Sequence, residues 1–314
     1  MTDMAAPSLS PSLWSRMMAG TAGPVTVIVL IIIAVWYAAV VWMNAPWAID
    51  QYGRQKVEWT ASQLLKDTMS QKRPVLPAPH QIAGEINKTV FQMESQSKRS
   101  LIFHAKVTLR ATLWGFLFGS LLGILIAVGI VHMKVLDKSL MPWVIASQTI
   151  PILAIAPMVI VVLGAMGSRG IIPKVMAKGV IPKATISAYL SFFPVTIGMV
   201  KGLRSPDPLQ MDLMRTYSAN RWQTFWKLRW PSSVPYLFTS LKVSIAISMV
   251  GAIVAELSAG TEGGLGVRLL AGSYYGQTLQ IWAALIVAAV LAASLVALVS
   301  LIEKLTLKRM GVTS

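Results

Sequence analysis

Residues 25–43 read VTVIVLIIIAVWYAAVVWM, a run without a single charged side chain. At 1.5 Å of helix rise per residue this run covers about 28 Å, close to the bilayer hydrocarbon thickness of about 30 Å. The apolar core of a signal peptide is shorter than this. The run therefore predicts a helix that stays in the membrane and spans it.

The composition extends this prediction to the whole chain. Of 314 residues, 55% are hydrophobic and only 13% are charged, whereas soluble domains carry about 25% charged residues. The formal net charge is +16, but the basic residues lie mostly between apolar segments, as membrane topology requires. We therefore expect the lipid bilayer, and no nucleic acid, as the surroundings of the chain.

The sequence also argues against several kinds of chemical site. The chain has no cysteine, so it can form neither disulfides nor thiolate metal sites. It lacks the Gly-x-x-x-x-Gly-Lys-Ser/Thr motif that binds ATP in P-loop proteins, its three histidines are scattered, and no nucleophile stands in a recognisable pattern with a base. We expect no metal, no cofactor and no catalytic site in this chain.

Five more apolar segments follow the first, so the fold class is predicted to be an all-α integral membrane protein with about six transmembrane helices. The third span, within Ser139 to Ser168, is expected to be kinked or broken at Pro142, Pro151 and Pro157. The fourth lies between Lys183 and Lys201. The predicted organisation is an N-terminus at 1–23, the first helix at 24–43, an external loop with short helices at 44–106, a five-helix core at 107–302 with a loop at 201–233, and a C-terminus at 303–314.

Basic residues orient the spans. With a cytoplasmic N-terminus, the short inside segments hold twelve bases and the short outside loops hold five, among them Lys183. Short cytoplasmic loops carry the excess of Lys and Arg. Both termini are therefore predicted to be cytoplasmic.

The loop at 201–233 is longer than a simple connection needs. From residue 209 it reads LQMDLMRTYSANRWQTFWKLRWP, in which Leu209, Leu213 and Met214 share one face of a short helix. A second amphipathic piece with two tryptophans follows it. From the pattern alone, the loop is either an interfacial helix that rests on lipid or a docking element for another protein.

This loop resembles the cytoplasmic signature of permease subunits of ATP-binding-cassette (ABC) importers. That signature is Glu-Ala-Ala, three residues, Gly, nine residues and Ile-x-Leu-Pro, and its spacing is matched here throughout. Asp212, Leu213 and Met214 stand at the first three positions, Ser218 at the glycine, and Leu228, Trp230 and Pro231 at the end. The acid is retained as Asp, whereas Leu, Met and Ser replace the two alanines and the glycine.

The resemblance extends over roughly residues 74–304 and favours one branch, the permeases of the nitrate, sulfonate, taurine and bicarbonate type, which include thiamine-precursor permeases. It rests on the order and spacing of short stretches, among them Leu76 to Pro79, Ile150-Pro151, Phe192 to Pro194, Gly251 to Leu257 and Gly263 to Gly266. It implies a type I importer permease with a MetI-like core in the bacterial inner membrane.

The resemblance also implies the partners. Two permease copies would pair, ABC ATPase subunits that bind ATP and Mg would dock on the 201–233 loops, and a periplasmic or lipid-anchored binding protein would deliver the solute. The solute would be nitrate, a sulfonate, bicarbonate or a pyrimidine or vitamin precursor. The residues implied to couple the permease to the ATPase are Leu209, Asp212, Leu213, Met214, Arg215, Ser218, Ala219, Asn220 and Pro231.

Each of these coupling residues has an expected role. Leu213 and Met214 would be buried in a groove of the ATPase, and Ser218 with Ala219 would permit close approach. Asp212 would cap backbone amides or pair with a base. Pro231 is expected to set the break before the fifth span.

Four other residues are candidates for the solute pathway or its gate: Glu256, Lys242, Gly264 and Gly266. Glu256 lies near the outer end of the fifth span, where it either acts in gating or simply reaches interfacial water. Lys242 either extends to the inner headgroups or lines the pathway. The glycines at 263, 264 and 266 predict a tight outer turn.

A secondary transporter or channel without ATPase partners is the alternative function. Such a protein would be expected to carry more ionisable residues within the membrane, or repeat symmetry between its halves. It would also leave the large basic loop unexplained.

Overall fold

The computed structural model describes residues 22–171, 173, 179–258 and 263–311. All regular elements in these ranges are helices, as the sequence predicts. The chain divides into two compact units, with the boundary between Glu85 and Ile86.

The first unit contains α1 (Ala22–Gln55), α2 (Ala61–Ser70) and α3 (Pro79–Ile86), the last of which ends at the boundary. Helix α1 continues past residue 43, so the first part of the predicted external loop belongs to the same helix. The buried side chain of Asn44 donates to the Leu76 carbonyl (2.9 Å) and accepts from the Val75 amide (2.8 Å). Tyr52 donates a hydrogen bond to Asp67 of α2. These bonds hold the 61–77 segment against the C-terminal half of α1.

The second unit begins with a π-helical turn, Asn87–Gln92, and contains the remaining helices. They are α4 (Leu101–His132), α5 (Lys134–Ala146), α6 (Ile152–Ser168), α7 (Val180–Leu203), α8 (Pro208–Thr216), α9 (Arg221–Thr224), a π-helical stretch Phe225–Arg229, α10 (Trp230–Ser258), α11 (Leu265–Tyr274) and α12 (Thr278–Arg309).

Five stretches within the described residues are long and apolar enough to cross a membrane. They are Gly23–Gln55, Leu101–His132, Val180–Leu203, Arg221–Ser258 and Thr278–Arg309. The third predicted span, within Ser139 to Ser168, corresponds to α6, which is a shorter apolar helix. Of the three prolines expected to disturb it, only Pro151 marks a break, because Pro142 lies inside α5 and Pro157 lies inside α6.

Helices α4, α7 and α10 form the core of the second unit through small side chains. A Cβ atom added at Gly115 of α4 would lie 2.3 Å from Ser187 of α7, so the two backbones approach as closely as their atoms allow. Ser191 donates to the Gly115 carbonyl (3.2 Å), and Ser248 of α10 donates to the Thr112 carbonyl (2.9 Å). Small residues and interhelical hydroxyl bonds are typical of helices packed within a membrane.

Candidate functional site

The 201–233 loop begins with a capped short helix. The side chain of Asp207 accepts a hydrogen bond from the Leu209 amide (2.8 Å), and Gln210 accepts one in return from the Asp207 amide (3.3 Å). Pro208 occupies the first helical position, where its missing N–H costs no hydrogen bond. The reciprocal cap fixes the start of α8 without help from the rest of the chain.

Helix α8 presents its apolar side chains to the outside. None of its residues, all of which the structure describes, is buried. Leu209 is 77% exposed and Leu213 54%, while Met214 is partly buried. A short helix with a capped start and an exposed apolar face has the form of a docking element.

Asp212 pairs with Arg215 through a 2.9 Å contact between exposed side chains. Of the two roles expected for Asp212, this is the pairing role, since Asp207 supplies the cap. An exposed pair of this kind contributes less than about 1 kcal/mol. It orients the polar face of α8 rather than stabilising the fold.

The chain turns sharply after α8. Ser218 has φ +52°, in the left-handed region that favours glycine. The Ala219 amide bonds back to the Met214 carbonyl (3.0 Å), which closes the end of the helix. Asn220 then caps α9 by accepting from the Gln223 amide (2.7 Å). The backbone at Ser218 thus gives a physical reason for the glycine at this position of the importer signature.

The prediction for Pro231 is wrong. The chain is helical without interruption from Arg221 to Ser258, and Pro231 is the second residue of α10. The Trp230 amide bonds to the Phe225 carbonyl, five residues earlier, so the helix is widened where the proline ring enters it. The break before the fifth span lies instead at residues 217–220.

Phe225 attaches the end of the loop to the helix core. Its buried side chain packs in a cluster with residues of α4 and α7, namely Ala127, Ile130, Val195, Met199, Val200 and Leu203. Its ring centroid lies 5.2 Å from that of His132. The segment at Phe225 is therefore fixed, while α8 projects from it.

A buried polar cluster occupies the opposite end of the same three helices. We call it the Glu256 cluster: His104 and Thr108 of α4, Lys183 of α7, Glu256 of α10 and the backbone of 263–266. Glu256 is 0% exposed. The expectation that its carboxylate reaches interfacial water is therefore wrong.

The Glu256 carboxylate is surrounded by donors. Thr108 donates its hydroxyl hydrogen toward the carboxylate at 2.9 and 3.0 Å from the two oxygens. The Gly266 amide donates to Oε2 at 2.9 Å, and Lys183 Nζ lies 3.8 Å from Oε1. Three elements other than α10 thus meet at this carboxylate.

Lys183 is a site residue that the sequence does not identify, since its position predicts a base of an external loop. It lies inside α7, is 2% exposed and donates from Nζ to the Gly263 carbonyl (2.8 Å). A lysine beside a small-residue helix segment is the signal that could have identified it. Its carboxylate partner lies far along the sequence, so spacing alone could not supply it.

Close contact with α10 requires the glycines at 264 and 266, since an added Cβ atom would meet Glu256 at 264 and the Ile253 carbonyl oxygen, at 2.5 Å, at 266. Gly264 has φ +132°, and a Cβ atom added there would lie 2.1 Å from the carboxyl carbon of Glu256. The Gly264 amide donates to His104 Nδ1 (3.0 Å), and the Leu265 amide donates to the Thr108 hydroxyl (2.9 Å). Each amide from 264 to 266 is therefore bound by a side chain of α4 or α10.

Lys242 is not part of this cluster. It lies about 21 Å along α10 from Glu256, and its ammonium bonds to Glu303 of α12 (2.8 Å). The lysine was expected to extend to headgroups or to line a pathway. In the structure it joins α10 to α12 through a partly buried ion pair.

Within the described ranges, no group of three or more His, Asp or Glu side chains could hold a metal ion. The two regions differ in kind. Helix α8, before the start of α10, is an exposed apolar helix, and the Glu256 cluster, at the end of α10, is a closed polar contact.

Comparison with known proteins identifies the family of the chain. Residues 119–312 match the family described as binding-protein-dependent transport system inner membrane component. The riboflavin transport system permease protein RibX of Chloroflexus aurantiacus is 29% identical over 74% of this chain and 80% of its own length. The formylaminopyrimidine transport permease protein ThiX of Halalkalibacterium halodurans is 29% identical over 60% and 68%.

A third relative, the putative aliphatic sulfonates transport permease protein SsuC of Bacillus subtilis, is 26% identical over 74% of this chain and 78% of its own length. The family implies an ATPase and a substrate-binding protein as partners, and supports an importer rather than a secondary transporter or channel. With its long apolar helices, the chain is a multi-pass membrane protein. It belongs to the binding-protein-dependent transport system inner membrane components, the permease subunits of ABC importers.

Proposed function

We propose that two copies of this permease pair in the bacterial inner membrane and form a solute pathway driven by two ABC ATPase subunits. The ATPase subunits bind ATP and Mg, and this chain binds neither. Both termini are cytoplasmic, which places the 201–233 loop inside the cell, where the ATPase is. The excess of basic residues on that side supports this orientation.

The observation that carries the coupling role is the exposure of α8. Helix α8 has no fully buried side chain, yet its start is capped and its end is closed by backbone hydrogen bonds. It is therefore preformed for a partner. We assign Leu209, Leu213 and Met214 to a groove of the ATPase. Movement of that groove would be transmitted into α10, a rigid-body form of alternating access.

The Glu256 cluster is assigned to the outer gate. In the proposed orientation it lies at the outer ends of α4, α7 and α10 and ties the 263–266 turn to all three. Opening the pathway outward requires these helix ends to separate, so Glu256, Gly264 and Gly266 hold the gate closed. Lys242 holds α12 to α10 during that movement.

The solute is proposed to be a small molecule of the classes carried by related permeases: nitrate, sulfonates, bicarbonate, or pyrimidine and vitamin precursors. Relatives of similar identity are named for riboflavin, formylaminopyrimidine and sulfonates. The permease thus sets the size class, and the external binding protein sets the chemical selectivity. Calorimetry of that binding protein with these solutes would identify the ligand.

The coupling role is tested by the double substitution Leu213→Ala and Met214→Ala. Truncating a Leu or Met that becomes buried costs about 2 to 5 kcal/mol. We expect the tagged permease to lose the ATPase during co-purification, and vesicles to lose uptake. Membrane insertion should stay unchanged and thermal stability should change little, because no side chain of α8 is fully buried and Met214 is only partly so.

The matched control is Met133→Ala with Val135→Ala. It removes two exposed apolar side chains at the junction between α4 and α5, outside the 201–233 loop. This control should retain the ATPase. If the α8 double variant also retains both the ATPase and uptake, the loop rests on lipid and the coupling proposal is wrong.

A further inference from the structure

The segment between α8 and the apolar part of α10 combines exposed tryptophans with unpaired bases. We call residues 221–230 the aromatic-basic segment. Trp222 is 69% exposed and its ring centroid lies 5.8 Å from that of Trp226, which lies 5.6 Å from Trp230. The three rings form a continuous column along one side of the helix.

Three bases lie on the same segment. Arg221 and Lys227 are exposed and Arg229 is partly buried. The sequence contains no Asp or Glu between Asp212 and Glu256, and within the described part of the chain none of the three bases forms an ion pair. The segment therefore presents positive charge with no internal neutralisation.

The length of the helix places this segment at the membrane surface. The stretch Arg221–Ser258 contains 38 residues, which extend over about 57 Å, nearly twice the hydrocarbon thickness of about 30 Å. The apolar part is the run 234–255, in which Lys242 is the one charged residue, so the residues before Val234 lie at headgroup depth. Tryptophan side chains are enriched at that depth.

The segment cannot turn its tryptophans inward. Phe225 is buried between α4 and α7 and fixes the rotation of the helix, which leaves the Trp222 and Trp226 rings on the surface. The turn at Ser218 separates this fixed segment from α8. One loop thus carries two different surfaces, an exposed apolar helix and a segment that Phe225 anchors to the helix core.

We infer that the aromatic-basic segment binds the phosphate headgroups of anionic phospholipids. Positive charge and interfacial rings together select a negatively charged lipid surface over a neutral one. Bound lipid would hold the start of α10 at a fixed depth while α8 moves. This inference goes beyond the coupling role and does not depend on the identity of the solute.

The experiment is a lipid titration of the full-length permease in detergent, followed by native mass spectrometry. The probes are phosphatidylglycerol and phosphatidylcholine. The variant Arg221→Gln with Lys227→Gln is compared with Lys304→Gln and Lys308→Gln, which removes the same charge from exposed positions of α12.

Wild type should bind phosphatidylglycerol at least tenfold more tightly than phosphatidylcholine. Each base near an anionic surface contributes roughly fivefold to binding, so the segment variant should lose at least tenfold. The α12 variant, whose bases have no tryptophan beside them, should lose less than the segment variant, and an equal loss would show that the tryptophans add nothing. Unfolding temperatures of both variants should match wild type, since the replaced side chains are exposed.

Two results would overturn the inference. Equal binding of the two lipids by wild type would show that the segment is only an apolar interfacial belt. A segment variant that keeps its phosphatidylglycerol affinity but loses the ATPase in co-purification would show that these bases belong to the ATPase interface. Because the lipid titration contains no ATPase, it can fail while the coupling test with Leu213 and Met214 succeeds.

Discussion

The two ends of α10 differ in which side chains are buried and which are exposed. At the Glu256 cluster the side chain of Glu256 is completely buried, and donors from α4, α7 and the 263–266 turn surround it. Near the other end, the leucines of α8 are exposed, and the hydrogen bonds that cap this helix are made within the loop itself. We therefore expect the first region to contribute to the stability of the chain and the second to contact a partner. Substitutions in the two regions should separate stability from transport.

The largest effect is expected from Lys183→Met. Removing one partner of a buried ion pair leaves an uncompensated charge and typically costs about 3 to 5 kcal/mol. We expect a lower unfolding temperature in detergent, and partial recovery when Glu256→Gln is added. Lys201→Met changes an exposed lysine of the same helix and should have little effect.

The same pair tests the gate. If Lys183→Met with Glu256→Gln restores stability but raises ATP hydrolysis in the absence of the loaded binding protein, the cluster holds the outer gate closed. Hydrolysis and uptake at wild-type levels in this stable double variant would leave the cluster with a structural role only.

A somewhat smaller loss of stability is expected from Gly264→Ala. The new methyl would meet the Glu256 carboxyl and the backbone would be strained at φ +132°; together these cost about 2 to 4 kcal/mol. Gly276→Ala is the control, because Gly276 also has a positive φ (62°) but has no atom within 4 Å of the added Cβ. Equal unfolding temperatures for the two variants would contradict the claim that contact with Glu256 requires a glycine at 264.

The smallest effect is expected from Ser218→Gly. A residue with a side chain in the left-handed region costs roughly 1 to 2 kcal/mol relative to glycine, and here that strain affects only the end of α8. Because the turn is already formed in the free chain, the unfolding temperature should rise by at most a few degrees, and the affinity for the ATPase should stay unchanged, as measured by titration of the purified ATPase. A decrease in affinity would mean that the serine hydroxyl itself contacts the partner.

The exposed end of α10 was more predictable from the sequence than the buried end. The apolar runs, the position of α8 and the pairing of Asp212 with a base follow from periodicity and local spacing. The contact of Lys183 with Glu256 depends on how α7 packs against α10, and periodicity contains no information about that register. For the same reason Lys242 could not be matched with Glu303.

Two local errors have local causes. Pro231 predicted a break because proline usually ends the helix before it, but the π-helical stretch Phe225–Arg229 accommodates the ring. The first helix was predicted to end at residue 43 because hydropathy falls there. It continues to Gln55 because Asn44 and Tyr52 find partners in the 61–77 segment.

The unbroken helix from Arg221 to Ser258 has a mechanical consequence. From Trp230 to Glu256 it extends over about 39 Å as one continuous helix. A tilt of only about 2° about the loop end moves the far end sideways by about 1.4 Å. The hydrogen bonds at the carboxylate are 2.9 to 3.0 Å long, and such a displacement stretches them beyond bonding distance. We therefore expect a small tilt at the loop end of α10 to break the hydrogen bonds at Glu256.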